Sequence, residues 1–152
     1  MFYPIKTETF TSTYALNEVI EKLKADLEPN DNETRNWFKG SLKENTFTIS
    51  LILKRPNNFV PVIYGVLDKD ENGRGIVVVK YELFSATRRF LVFWTAITIL
   101  LSLFFAIPYQ AYLYAAITLS ACLVNYIITR ENFNIQVRKS RRALKKVLGV
   151  KE

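Results

Sequence analysis

The chain has 152 residues, with 21 Lys and Arg against 14 Asp and Glu for a net charge of +7, one cysteine and no histidine. A lone cysteine excludes an intrachain disulfide, and the lack of histidine removes Ser-His and Cys-His nucleophile pairs, His-ligated zinc and an imidazole base. The charge is uneven: residues 1–85 hold eleven Lys/Arg against twelve Asp/Glu, residues 86–152 ten against two, so the overall basicity is no sign of a nucleic-acid partner.

Residues 1–85 read as an α+β domain of strand, helix and four-stranded antiparallel meander. Tyr3 to Phe10 is Thr-rich and alternating, which predicts a strand, and Ser12 or Thr13 offers an N-cap for a helix after it. Leu16, Val19, Ile20, Leu23 and Leu27 then recur at helical spacing with Glu18, Glu21, Lys22 and Lys24 on other faces, predicting an amphipathic helix over about 13–27. Pro29-Asn30-Asp31-Asn32 ends it. The Asn32-Glu33-Thr34 sequon is read as chance.

Strand-like segments come next at Trp37 to Leu42, Thr46 to Lys54, Phe59 to Leu67 and Gly75 to Leu83. The last two are joined by a polar turn, Asp68 to Arg74, with Asn72-Gly73 at its tip, a hairpin signal. Its acidic residues lack the calcium-loop spacing and are read as a solvated tip, and no phosphate-cradling or dinucleotide glycine motif occurs. No cofactor is expected.

Between the second and third of these segments lies Arg55-Pro56-Asn57-Asn58-Phe59-Val60-Pro61. One reading is turn chemistry, with Phe59 plugging the core and Pro61, which lacks a donor, marking an edge strand or bulge. The other is a ligand or lipid-headgroup site, in which Arg55 and the amides of Asn57 and Asn58 meet an anion beside Phe59.

Residues 86–128 are expected to form a transmembrane helical hairpin. Phe90 to Ile107 and Ala111 to Ile128 are two uncharged runs around Pro108-Tyr109-Gln110, and 18 residues at about 1.5 Å each give roughly 27 Å, close to a bilayer hydrocarbon core. A run starting near residue 90 does not suit a signal peptide. Arg88 and Arg89 precede the first run, Arg130 comes after the second, and the turn is uncharged, which predicts both ends of the sequence on the cytoplasmic side of the inner membrane. Ala111, Ala115 and Thr118, with Ala121 and Asn125 nearby, form a small-residue face for the first helix or another copy. Cys122 is read as a packing residue within the span.

The stretch Arg55 to Gly65, succeeded by a glycine-containing hairpin, a strand and Phe93-Trp94 in a membrane hairpin, resembles a family of small uncharacterised bacterial membrane proteins. Its members carry Arg-Asn-Ser-Phe-x-Pro-x-x-x-Gly at that place. The resemblance covers most of residues 37–148; Pro56 is an extra residue and Asn58 stands where Ser is usual. It implies a membrane location and brings no known activity.

Residues 129–152 predict a basic amphipathic helix. Phe133, Val137, Ser140, Leu144, Val147 and Leu148 share one side, and Arg138, Lys139, Arg141, Arg142, Lys145 and Lys146 the other, with Ile135 breaking the pattern. The cationic side suits an anionic membrane surface, together with Arg88, Arg89 and Arg130. The apolar stripe suits packing on the domain of residues 1–85. The two placements are compatible with each other, because the polar side can still face headgroups.

The sequence therefore predicts a non-enzymatic integral membrane protein whose cytoplasmic domain meets a protein or anionic lipid headgroups at the membrane surface. A homo-oligomer is compatible with this, and nucleic acid is not an expected partner. The alternatives are a subunit of an oligomeric pore or transporter, which mid-span charges would favour, and a small lipid-active enzyme without His or Cys chemistry, which a convergent acidic pair would favour.

Overall fold

A computed structural model describes residues 3–27, 37–53, 55, 57–71 and 73–150. They form, in chain order, β1 (Ile5–Ala15), α1 (Leu16–Leu27), β2 (Phe38–Lys43), β3 (Thr46–Leu51), β4 (Pro61–Lys69), β5 (Arg74–Leu83), α2 (Ser85–Ala106) and α3 (Tyr112–Leu148). The fold is α+β. All strand pairs are antiparallel and the sheet order is β1-β5-β4-β3-β2. The meander of β2 to β5 is thus extended to five strands by β1, which lies beside β5 with Lys6 opposite Tyr81 and Phe10 opposite Val77. The Pro29–Asn32 loop and the Asn32 sequon lie outside the described residues.

Three local expectations are corrected. Strand β1 runs on to Ala15 and α1 starts at Leu16, because the hydroxyls expected to cap the helix are used elsewhere. Ser12 Oγ donates to the Leu148 carbonyl at 2.6 Å and accepts from the Tyr14 amide at 3.0 Å, while Thr13 Oγ1 donates to the Gly149 carbonyl at 2.8 Å. Pro61 marks neither an edge strand nor a bulge: β4 is interior, and Pro61 is its first residue, a position where the missing N–H costs little. The segment expected to start β4 at Phe59 is instead a turn, and β4 begins two residues later.

One face of the sheet is covered. Phe10, Val77, Val79, Tyr81, Ile63, Leu67, Phe47 and Ile49 point to it at strand period and are buried. Helix α1 adds Val19 and Leu23. The ring of Phe47 lies across Gly65, its partner on β4, where any Cβ would collide with it. The opposite face, with Thr7, Thr9, Thr48, Tyr64, Val66 and Val78, is exposed.

Helix α3 is a single unbroken helix of 37 residues, about 55 Å long. Between Tyr112 and Ile128 only Ala115 is buried; from residue 129 the buried set is Thr129, Phe133, Gln136, Val137, Ser140, Ala143, Leu144 and Leu148. That set is a helical stripe, and it packs into the same core as the sheet and α1. The packing expected of the apolar stripe is present: it completes the core, with Val147 partly buried against it and Ile135 exposed. The helix stops at Gly149, left-handed at φ 62°, with the Gly149 and Val150 amides returning to the Lys146 and Lys145 carbonyls.

Helices α2 and α3 form the hairpin, and both are long and apolar enough to cross a membrane. They approach at Ser102, whose hydroxyl donates to the Ala115 carbonyl at 3.1 Å. The outward side chains are bare: Phe93 is 60%, Leu100 66% and Leu113 70% exposed.

Because Leu144 is fully buried between α3 and the sheet, Leu144→Ala is expected to cost about 2–5 kcal/mol of domain stability. Ile135→Ala, on the exposed side of the same helix, should cost under about 0.5 kcal/mol. Denaturant unfolding of the full chain in detergent micelles, monitored by the sheet's circular dichroism, compares the two; equal losses would contradict this packing.

Candidate functional site

The segment singled out from sequence, Arg55 to Phe59, lies where α2 leaves the sheet. Asn57 Oδ1 accepts the Phe59 amide at 2.8 Å and the Asn57 carbonyl accepts the Val60 amide at 3.3 Å, a side-chain-assisted turn. Thr87 Oγ1 donates to the Asn58 carbonyl at 2.9 Å, fastening this turn to the first turn of α2. Phe59 is partly buried against the core and does not line the pocket that the others form. Arg55, Asn57 and Asn58 are brought together, with a cavity of about 510 Å³ between them, Lys39 and the start of α2.

Lys39 was not legible as part of this site. It arrives through the β2–β3 register, which sets it opposite Ser50, another lining residue and one that is buried. The turn signal at Lys43 to Thr46 fixes that register and could have placed it. Among the described residues no Asp or Glu lines the cavity. No side-chain hydrogen bond caps α2, whose first hydrogen bond is from the Arg88 amide to the Phe84 carbonyl, and Phe84, Ala86 and Thr87 at its start line the same cavity.

The basic residues divide by place. Arg88 is held by the domain, 3.7 Å from Glu82 and over the Tyr3 ring at 4.9 Å. Arg89, Arg130 and Arg138 are exposed. Lys139, Arg142 and Lys146 rim a groove of about 290 Å³ floored by Leu51 and Ala143, with Lys146 stacked over Trp37 at 5.3 Å. Lys145 is half-buried. Arg141 turns back to the sheet, its Nε 3.1 Å from Glu8 Oε2 with the N–H not aimed at the oxygen, so the contact is an ion pair without a hydrogen bond.

That ion pair lies at a polar seam under α3. Tyr81 OH, Gln136 Oε1 and Ser140 Oγ are also buried there without hydrogen-bond partners. Burial pushes the Tyr81 phenol above its ordinary value near 10, and the Glu8 carboxylate adds to the shift while Arg141 opposes it. Among the described residues no three of Cys, Asp and Glu converge.

Within the hairpin, Ala121 and Asn125 line a cleft of about 360 Å³ with Phe90, Trp94, Thr98 and Cys122. Cys122 is half-exposed there. Against this geometry, no family model, no curated protein and no solved structure matches the chain.

The unpartnered Tyr81 hydroxyl gives a test of the seam. Leaving a buried hydroxyl unbonded costs about 1–3 kcal/mol, so Tyr81→Phe should hold or raise stability near neutral pH. Because folding raises this pKa, the phenol's proton contributes stability fully below about pH 10 and progressively less above it. Lys22 and Lys80, raised by hydrogen bonds to Tyr14 and Glu82, act in the same alkaline window, so the informative quantity is the difference between wild type and variant. Thermal melting from pH 8 to 11 should show a shallower alkaline decline in Tyr81→Phe; a loss of several degrees at pH 8 would mean the hydroxyl is bonded.

Proposed function

We propose that the chain is a non-enzymatic integral membrane protein of the inner membrane, whose α2–α3 hairpin crosses the bilayer and whose sheet domain binds a protein or lipid-headgroup partner at the cytoplasmic surface. The observation that carries this is the bareness of the hairpin: only 6% and 11% of the most apolar stretch of α2 and α3 is buried. Two soluble core helices would be covered, and an apolar surface of this extent in water marks a membrane or an interface.

Charge supports the orientation. Arg88, Arg89 and Arg130 sit at the end of the hairpin that joins the domain, and the turn at Pro108 to Gln110 carries no charge, the arrangement that keeps the basic end inside. The resemblance of the Arg55 to Gly65 region to small bacterial membrane proteins favours the same placement. An unbroken α3 has a further consequence. If its first half spans the bilayer, its second half projects away from it by roughly 30 Å and does not lie flat on the surface. Headgroup contact then falls to the membrane-proximal end of the domain, where Arg88, Arg89 and the 510 Å³ pocket lie.

Two measurements check this reading. The chain should stay with membranes through alkaline carbonate extraction, and reporter fusions at residues 1 and 152 should both report cytoplasm while one at Tyr109 reports the other side. Release by carbonate would remove the spanning hairpin; an external signal from either end would remove the orientation.

A further inference from the structure

We infer that the pocket between β2, the β3–β4 turn and the start of α2 is an anion site that takes a phosphate group, with Lys39 and Arg55 as the charged contacts. The membrane reading bears only on where that phosphate comes from.

Lys39 and Arg55 line one cavity from opposite walls of the fold, and among the described residues neither makes an ion pair. Of the other cations, Lys6, Lys22, Arg74, Lys80, Arg88 and Arg141 each have a carboxylate within 4 Å, whereas Lys24, Lys43 and Lys69, likewise without an ion pair among the described residues, do not line this cavity. Two cations sharing a space with no acid among its described lining residues repel each other, an arrangement that an anion relieves.

The remaining chemistry of the walls selects the anion. Ser50 gives its proton to the Pro61 carbonyl and Thr87 gives its proton to the Asn58 carbonyl, so both hydroxyls position the walls. Donors left for a ligand are the Lys39 ammonium, the Arg55 guanidinium and the side-chain amides of Asn57 and Asn58. A guanidinium fork beside an ammonium suits tetrahedral phosphate oxygens. A cavity of about 510 Å³ also exceeds what a bare ion needs and falls within the size of small-molecule sites. It therefore has room for an esterified phosphate such as a glycerophosphoryl group. Phe84, exposed at the rim, offers apolar contact beside it.

A phosphate here can come from a lipid headgroup or from a free phosphate compound, and the experiment separates the two. Full-length protein in a non-ionic detergent is titrated, at low and moderate salt, with short-chain phosphatidic acid, short-chain phosphatidylcholine and inorganic phosphate, reading the melting temperature and native mass spectra. Wild type is expected to bind phosphatidic acid, with affinity falling as salt rises. Lys39→Gln with Arg55→Gln should weaken that binding at least tenfold. Lys43→Gln, on the same strand and outside the cavity, should leave it unchanged. All three positions are exposed, so the variants are expected to melt with the wild type when no ligand is present.

Displacement of the lipid by millimolar inorganic phosphate would assign the site to free phosphate compounds; no displacement would assign it to a headgroup. Equal binding by wild type and the double variant, or no binding of either phosphate source, would overturn the site. Either failure would leave the hairpin reading intact, because carbonate extraction and the fusions test that separately.

Discussion

The structure rests on the seam between the sheet and the second half of α3. The sheet presents one apolar face, and α1, at 12 residues, is too short to cover it. Phe133, Val137, Leu144 and Leu148 bury the remainder, and burial of side chains of this size stabilises by about 1.5–3 kcal/mol each. The same helix is apolar through Ile128, so the element that completes the sheet's core is also half of the hairpin. No loop intervenes, and a continuous helix has no hinge except at a proline, a glycine or a bulge. None of the residues from Tyr112 to Leu148 is proline or glycine.

The seam is fixed at its far end and in its middle. At the far end the Ser12 and Thr13 hydroxyls hold the carbonyls of Leu148 and Gly149. There Gly149 is required twice over, by its left-handed backbone and by the Tyr14 ring that lies where its Cβ would be. In the middle, Arg141 meets Glu8 on β1. Rotating α3 by one residue, about 100°, would carry Arg141 off Glu8 and turn Ser140 out of the core. The polar groups of the seam thus lower its stability relative to an all-apolar one while favouring one rotational setting of the helix.

The pocket is shaped by the other end of the sheet, with no residue of α3 among its described lining. Strand β5 ends at Leu83, opposite Pro61, and α2 starts two residues later. The helix must leave the sheet beside the β3–β4 connection, and Thr87 bonds to it there. Lys39 and Arg55, 16 positions apart, converge because β2 and β3 pair antiparallel with Phe38 opposite Leu51. The hairpin in turn sets this pocket at the end of the domain nearest the apolar helices.

The sequence by itself determined the elements. Period-2 alternation with turn residues marked the four meander strands, helical spacing of Leu16 to Leu27 marked α1, and two uncharged runs marked the hairpin, since each pattern reports a local geometry that neighbouring residues share. It also determined where charge accumulates, and it brought Arg55, Asn57 and Asn58 forward through their turn chemistry. What only the tertiary structure decided was pairing at a distance. The side of the meander that β1 joins, the interior place of β4, the fusion of the second apolar run with the basic helix and the packing of Leu144 and Leu148 on the sheet all depend on contacts between residues tens of positions apart. Ser12 and Thr13 show the reason most plainly: a hydroxyl beside a helix start is a cap by local rules, and becomes a tether only where the fold sets a carbonyl 136 residues away beside it.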